Sequence, residues 1–268
     1  MDLFDLSDDV VVIIGGTGVL GGSMAVGLAT AGARVAILGR NAARGQARVD
    51  EINDSGGQAV FIAADATQRT ALEHAHQQVR AQFGQHTVLV NAAGGNNPNV
   101  TVGEHLAFED IKLADLEASL DLNLVGGIFL PCQVFGPSMA ANRRGSIINI
   151  ASVSGHIPLS GVGAYSAAKS AVLSLTRFLA RLWAEKGVRV NAITPGFFPA
   201  EQNRRLLFDA DGNPSARGQE ILNHTPMNRF GSSEELGGAA VFLAAGPASS
   251  VVTGTDICVD GGFLSTTI

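Results

Sequence analysis

Cysteine is scarce in this chain: two thiols, Cys132 and Cys258, among 268 residues. Both sit in apolar surroundings and read as reduced core cysteines; a disulfide framework or a metal site needs more, so no metal site is expected. Charge is scarce as well. Charged residues make up 16% of the chain and the formal balance is −6, which argues against a nucleic-acid partner. The N-terminal apolar run is short: Val10 to Ile14 follows an acidic start, "MDLFDLSDD", and stops at once in glycines. Neither a membrane span nor a signal peptide is read from that pattern, and a cytoplasmic location is the expectation. Tyrosine is the rarest feature of interest, with Tyr165 alone in the chain.

What is present is an apolar, glycine-rich sequence, 46% apolar with 33 glycines spread along its length. That is enough to build a sizeable core. Short apolar, β-branched runs predict strands at 10–14, 33–38, 58–64, 86–94, 145–152, 188–194 and 255–262. Between them, helical spacing predicts helices over 23–31, 42–55, 68–83, 112–140 (with a break at Gly126–Gly127), 163–186 and from a capping box at Ser232 and Glu235 to about Ala245. Residues 197–230 are mixed. This alternation predicts one doubly wound α/β domain over 1–268, a seven-stranded parallel sheet with helices on both faces.

Between the first strand and the first helix lies "GGTGVLGG" (15–22). A glycine-rich turn there lets backbone N–H groups approach a pyrophosphate at the helix N-terminus, with Gly16, Gly18 and Gly21 at the G-x-G-x-x-G spacing. An unliganded tight turn is the bland alternative. The second strand ends in Gly39-Arg40, where folds that bind NAD usually carry an acid for the ribose 2′-OH. A guanidinium there favours NADP, with NAD possible. Asp65, after the third strand, could accept from an adenine amino group or cap the next helix.

Tyr165 and Lys169 are four residues apart on a predicted helix and so share a face. A cation at about 5 Å, with an effective dielectric of about 20, favours the phenolate by roughly 3 kcal/mol. That is about two pKa units, which would suit the phenol to proton transfer near neutrality. Ser152 ends the fifth strand at the edge where such sheets bind ligands, and Ser154 follows.

Taken together, the glycine loop, "NAAG" at 91–94, Ser152, Y-x-x-x-K at 165–169, "NAITPG" at 191–196 and "VDGG" at 259–262 resemble the short-chain dehydrogenase/reductase family. The resemblance implies a Rossmann-like fold, with a dinucleotide-binding part over about 1–150 and a catalytic and lid part over about 151–268. It implies Tyr165 as proton donor or acceptor, Ser152 holding the substrate oxygen, Lys169 tuning the phenol and binding the nicotinamide ribose, and Asn123 supporting a water. It implies that Gly15, Thr17, Gly18, Val19, Leu20, Gly21, Arg40, Asp65, Ala66, Asn91, Ala92, Ala93, Gly94, Pro195, Gly196 and Phe198, with Tyr165 and Lys169, hold the dinucleotide. Two positions depart from the family pattern: Ile14 stands where a threonine is usual, and Val19 where the middle glycine falls.

Around the expected site, Gly95, Asn96, Asn97, Ser154 and His156 lie near the catalytic set. A lid carries Gln202, Asn203, Arg204 and Arg205, though both arginines could equally face solvent. Amides for hydroxyls and an arginine fork for a carboxylate suit a sugar acid. The pattern is similar to a subgroup described as D-mannonate oxidoreductases or fructuronate reductases. Rival readings are a reductase of another ketone, 3-oxoacyl or cyclic, and a non-catalytic dinucleotide sensor. The family also implies a homotetramer.

Overall fold

The computed structural model describes residues 3–267. Strand β1 (Val10–Ile14) leads to helix α1 (Val19–Thr30), β2 (Arg34–Gly39) to α2 (Ala42–Asp54), and β3 (Gln58–Ala63) to α3 (Arg69–Phe83). Strand β4 (Val88–Asn91) is followed by α4 (Leu113–Leu120), a π-helical stretch (Asp121–Phe129) and α5 (Leu130–Ala141). Then come β5 (Gly145–Ile150), α6 (Gly163–Trp183), β6 (Val188–Pro195), the short α7 (Arg204–Leu207), α8 (Ala216–His224), α9 (Leu236–Ala244), α10 (Gly246–Ser249) and β7 (Asp256–Val259).

The seven strands pair in parallel in the order β3-β2-β1-β4-β5-β6-β7. Both faces are covered, which is why β1 is apolar at every position instead of alternating. Val10, Val12 and Ile14 pack with α3 (Leu72, Val79), α5 (Phe135, Met139) and α6 (Val172, Trp183). Val11 and Ile13 face the other way, onto α1 (Met24, Leu28), α2 (Ile52) and α9 (Leu236, Leu243). Strand order reverses between β1 and β4. Sheets of this kind open a crevice there at the C-terminal strand ends, and the glycine loop after β1 and "NAAG" after β4 both lie at that point.

Two expectations about helices change. Helix α1 begins at Val19, four residues before the predicted start. The expected break at Gly126–Gly127 is a continuous π-helical winding. These glycines serve close packing: a Cβ at Gly126 would fall 2.9 Å from the Thr67 nitrogen, and one at Gly127 would fall 3.0 Å from the Ala93 carbonyl oxygen. The combined segment Leu113–Ala141 is apolar and long enough by composition to cross a membrane, with 50% of its most apolar window buried inside the fold. The mixed region after β6 resolves into a 3-10 turn (Glu201–Asn203), α7 and α8. Leu207 and Ile221 from this region join Val153 and Phe263 in a small separate core.

Candidate active site

At the switch point the loop after β1 turns through Gly15, whose φ of +80° is left-handed. A Cβ there would sit 2.6 Å from the Ala93 nitrogen, so the two loops touch backbone to backbone. Gly18 is the N-cap of α1 and offers no side chain to the first-turn N–H groups, nor is there an acid in that turn. An uncapped helix N-terminus at a sheet's C-terminal edge is the chemistry a pyrophosphate needs. Val19 and Leu20 open that first turn, Gly21 is buried beneath it, and Thr17 packs against Gly39 at the end of β2.

Arg40 follows β2 and is exposed. Asp65 Oδ1 accepts from the Thr67 backbone N–H (3.0 Å) and hydroxyl (2.8 Å), so it caps the turn Asp65–Thr67, with Ala66 at its centre, and not the N-terminus of α3. Burial works against the Asp65 carboxylate, but the Thr67 bonds and the Arg40 cation outweigh it and hold the group below its ordinary range. Arg40 and Asp65 are thus close enough for the cation to act on the carboxylate.

The catalytic candidates converge on β4, β5 and α6. Tyr165 and Lys169 share a face of α6, and Lys169 Nζ lies 5.5 Å from the centroid of the Tyr165 ring. Lys169 is 4% exposed and donates to the Ile150 carbonyl at the end of β5 (2.8 Å). Tyr165 is half-buried. Ser152 sits in extended backbone just beyond β5 and caps a 3-10 turn, Val153–Gly155. That turn is flush against α6: a Cβ on Gly155 would meet the Lys169 carbonyl at 2.9 Å, and Ser170 Oγ donates to the Gly155 carbonyl (2.8 Å). Ser152 Oγ accepts from the Ser154 N–H (3.2 Å) and Ser154 hydroxyl (3.1 Å). With those lone pairs engaged, the Ser152 proton is oriented to donate.

Asn123, fully buried in the π-helical stretch, clasps Gly95 through both backbone groups. It accepts from the Gly95 N–H (2.9 Å) and donates to the Gly95 carbonyl (2.9 Å) and to Ser119 (2.9 Å). Gly94, at φ +152°, lies between Asn123 and Lys169; an added Cβ would meet Asn123 Oδ1 at 2.7 Å and Lys169 Nζ at 3.4 Å. Widened helical turns of this type recur at functional sites. Here the widening holds the loop after β4 against the lysine.

One expectation about the phenol is corrected. Burial pushes Tyr165 above its ordinary pKa, and the hydrogen bond with Ser152 opposes this only in part. Burial also drives Lys169 down to about 8. Helical spacing alone shows the neighbouring cation but not the burial of either group. In the structure desolvation dominates, and the ammonium is turned to Ile150 instead of the phenolic oxygen. Burial therefore favours the neutral, protonated phenol in this geometry.

The remaining residues fall into place unevenly. Asn91 is buried and donates to Asn149 (2.9 Å), with its Oδ1 unpartnered; Ala92 and Ala93 continue the strand toward the crevice. Pro195 ends β6, Gly196 donates to Val259, and Phe198 is buried behind them. Asn96 donates to Thr101 (2.8 Å), and Asn97 accepts from the Asn99 N–H (3.0 Å), so these amides shape their own loop. Ser154 is buried behind Ser152. His156 is turned away to Asp256 (2.7 Å) and Thr194 (3.3 Å). Asn203 braces the lid by accepting from the Ala200 N–H and donating to the Phe198 carbonyl. The side chain of Gln202 lies outside the described residues. Arg204 and Arg205 are exposed, with Arg204 over the Phe208 ring at 5.6 Å. Two features escape the sequence reading: the Ile150 carbonyl that anchors Lys169, and a cavity of about 370 Å³ at the lid base, lined by Phe197, Phe198, Thr225, Met227, Arg229 and Asp260 among others. Their partners lie far apart in sequence, so no local pattern announces them.

A seven-stranded doubly wound sheet with this glycine loop and this Ser, Tyr and Lys arrangement defines a nicotinamide-dependent oxidoreductase. A family model described as Enoyl-(Acyl carrier protein) reductase matches residues 18–264. The chain belongs to the short-chain dehydrogenase/reductase family, whose members act on CH–OH groups. It is 42% identical to an uncharacterized oxidoreductase, UxuB, of Bacillus subtilis, over 97% of this chain and 96% of that one. A solved structure from Haemophilus influenzae, provisionally assigned as a D-mannonate oxidoreductase and holding NAD, superposes with a TM-score of 0.92 at 37% identity, covering 98% of this chain and 97% of that one. A gluconate 5-dehydrogenase from Burkholderia cenocepacia in complex with NADP and tartrate superposes with a TM-score of 0.89 at 32% identity, covering 99% of both chains.

Proposed function

We propose that this oxidoreductase interconverts a secondary alcohol and a ketone on a sugar acid of the D-mannonate/D-fructuronate type, with NADP preferred over NAD. The observation that carries the substrate reading is the lid. Its short helix α7 opens with Arg204 and Arg205, and among the described residues neither forms an ion pair. Two exposed guanidinium groups on the lid helix suit a carboxylate, and a steroid or acyl chain does not need them. The likeness to a gluconate 5-dehydrogenase and to a provisionally assigned mannonate enzyme supports the same class. For the cofactor, Arg40 offers a cation to a 2′-phosphate at the end of β2, where the strand ends in Gly39 and Arg40 follows, without an acid.

A bound nicotinamide supplies or accepts the hydride. The chain's own residues manage the proton and the oxygen. Ser152, held by Ser154, donates to the substrate oxygen. Tyr165 keeps its proton until negative charge develops on that oxygen and then gives it up. Lys169 stabilises the phenolate left behind, and Asn123 fixes the loop that forms the neighbouring wall. Exposed apolar residues on α4 and α6, Leu113, Phe178 and Leu182, supply surface for the homotetramer proposed here. A cytoplasmic location, with no nucleic-acid or membrane partner, completes the reading.

The test is a panel of uronates, aldonates, 3-oxoacyl thioesters and simple ketones, each assayed with NADH, NADPH and their oxidised forms. A uronate or aldonate should give the highest kcat/KM. Replacing Arg204 and Arg205 together with alanine should raise KM for that acid by about tenfold or more, and for a neutral ketone by much less. Best turnover of a thioester, or equal effects on acid and neutral substrates, would reject the sugar-acid assignment.

A further inference from the structure

His156 follows the catalytic serine turn, and Asp256 and Cys258 sit two residues apart on β7. Residues i and i+2 of a strand point to one side. The three donor atoms, an imidazole nitrogen, a carboxylate oxygen and the Cys258 sulfur, all lie within 4.8 Å of one another. We propose that His156, Asp256 and Cys258 form a binding site for a divalent cation of the zinc class, separate from the hydride-transfer chemistry.

The donor set selects the ion. One nitrogen, one oxygen and one sulfur suit zinc or cobalt, whereas magnesium and calcium require oxygen donors. With metal–ligand bonds of about 2.0–2.3 Å, tetrahedral donors stand roughly 3.3–3.6 Å apart. His156 Nε2 and Asp256 Oδ2 are now 2.7 Å apart and would open by about half an ångström. Cys258 Sγ, 3.8 Å from Asp256 Oδ2, would close slightly. The His156 nitrogen and the Cys258 sulfur, within 4.8 Å of each other, would close as well, through rotation about their side-chain bonds. Three protein donors leave the fourth position to water, and the exposure of His156 and Cys258 gives the ion a path in.

The surroundings are already arranged around the carboxylate. The Thr194 hydroxyl lies 2.8 and 2.9 Å from the two Asp256 oxygens and holds the group in place, as partners of metal-bound carboxylates do. Asp260, the other nearby acid, is committed to the Gly262 and Leu264 N–H groups (2.9 Å each) and does not compete. Burial and the charges of Asp256 and Asp260 keep the Cys258 thiol protonated, up to about 11. A cation among them reverses that bias, and the thiol releases its proton on binding. An occupied site would link the Ser152 turn to β7, two segments about 100 residues apart in the chain.

The experiment uses untagged protein freed of metal by chelation and titrated with Co²⁺ while its absorbance spectrum is followed. A near-ultraviolet thiolate-to-cobalt band should rise together with visible tetrahedral bands and saturate near about one equivalent per chain. Zn²⁺ should abolish both. Cys258→Ser, a conservative change at an exposed position, should remove the thiolate band, and His156→Gln should weaken Co²⁺ binding by about tenfold or more. Absence of a thiolate band in the parent protein would overturn the proposal. So would a band that survives Cys258→Ser, or affinity unchanged in His156→Gln.

Discussion

Replacing Lys169 with methionine should erase a pH dependence of stability that the buried ammonium imposes. The lysine is 4% exposed, and burial drives its pKa from 10.5 to about 8. Below about pH 8 it is protonated in both the folded and unfolded chains, and the cost of burying the charge is carried in full. Between about pH 8 and pH 10.5 the folded protein has shed the proton while the unfolded chain keeps it. The unfolded state then binds more protons, so stability rises with pH across that window. Above about pH 10.5 both states are neutral and the gain levels off. From these two pKa values the parent should gain about 2 kcal/mol over the methionine variant between about pH 7 and about pH 9.5. Urea unfolding of both proteins at the two pH values, without added dinucleotide, measures this. The difference between them cancels groups that titrate alike in both. A difference that stays constant across the window, or falls with pH, would refute the argument that desolvation governs Lys169.

Gly94→Ala should destabilise the protein by about 1–3 kcal/mol, because alanine is strained at φ +152° and its Cβ would press on Asn123 Oδ1. It should also lower kcat, since the displaced Asn123 clasps the Gly95 backbone in the loop beside Lys169; thermal unfolding and steady-state kinetics check both. Arg40→Ala should weaken NADP binding by about tenfold or more while leaving NAD binding nearly unchanged, measured by fluorescence titration with each dinucleotide. Equal losses would remove Arg40 from cofactor choice.

Much of the architecture is legible in the sequence because it depends on local rules. Doubly buried strands such as Val10–Ile14 are unbroken apolar runs, and the turn after them needs glycine for a backbone reason. Tyr165 and Lys169 meet because they are one helical turn apart. What the sequence hides is set by tertiary contact. Gly126 and Gly127 read as a helix break, yet they let the helix touch the Thr67 and Ala93 backbones. Ser154 and His156 look alike as polar residues near Ser152. One is buried behind Ser152, while the other finds its partner at Asp256. The Tyr165 shift went the other way because helical spacing shows the neighbouring cation but not the dry surroundings. The lid helices, α7 and α8, lack a clean period because they pack on a small core of their own.

Tyr165→Phe tests the central claim most directly, since it removes one oxygen and leaves the ring that packs beside Lys169. Turnover of the best sugar acid, followed through the absorbance of reduced nicotinamide, should fall by about a hundredfold to ten-thousandfold. Dinucleotide affinity, measured on the same preparation, should change by no more than a few fold. Turnover close to that of the parent would show that the proton comes from another group.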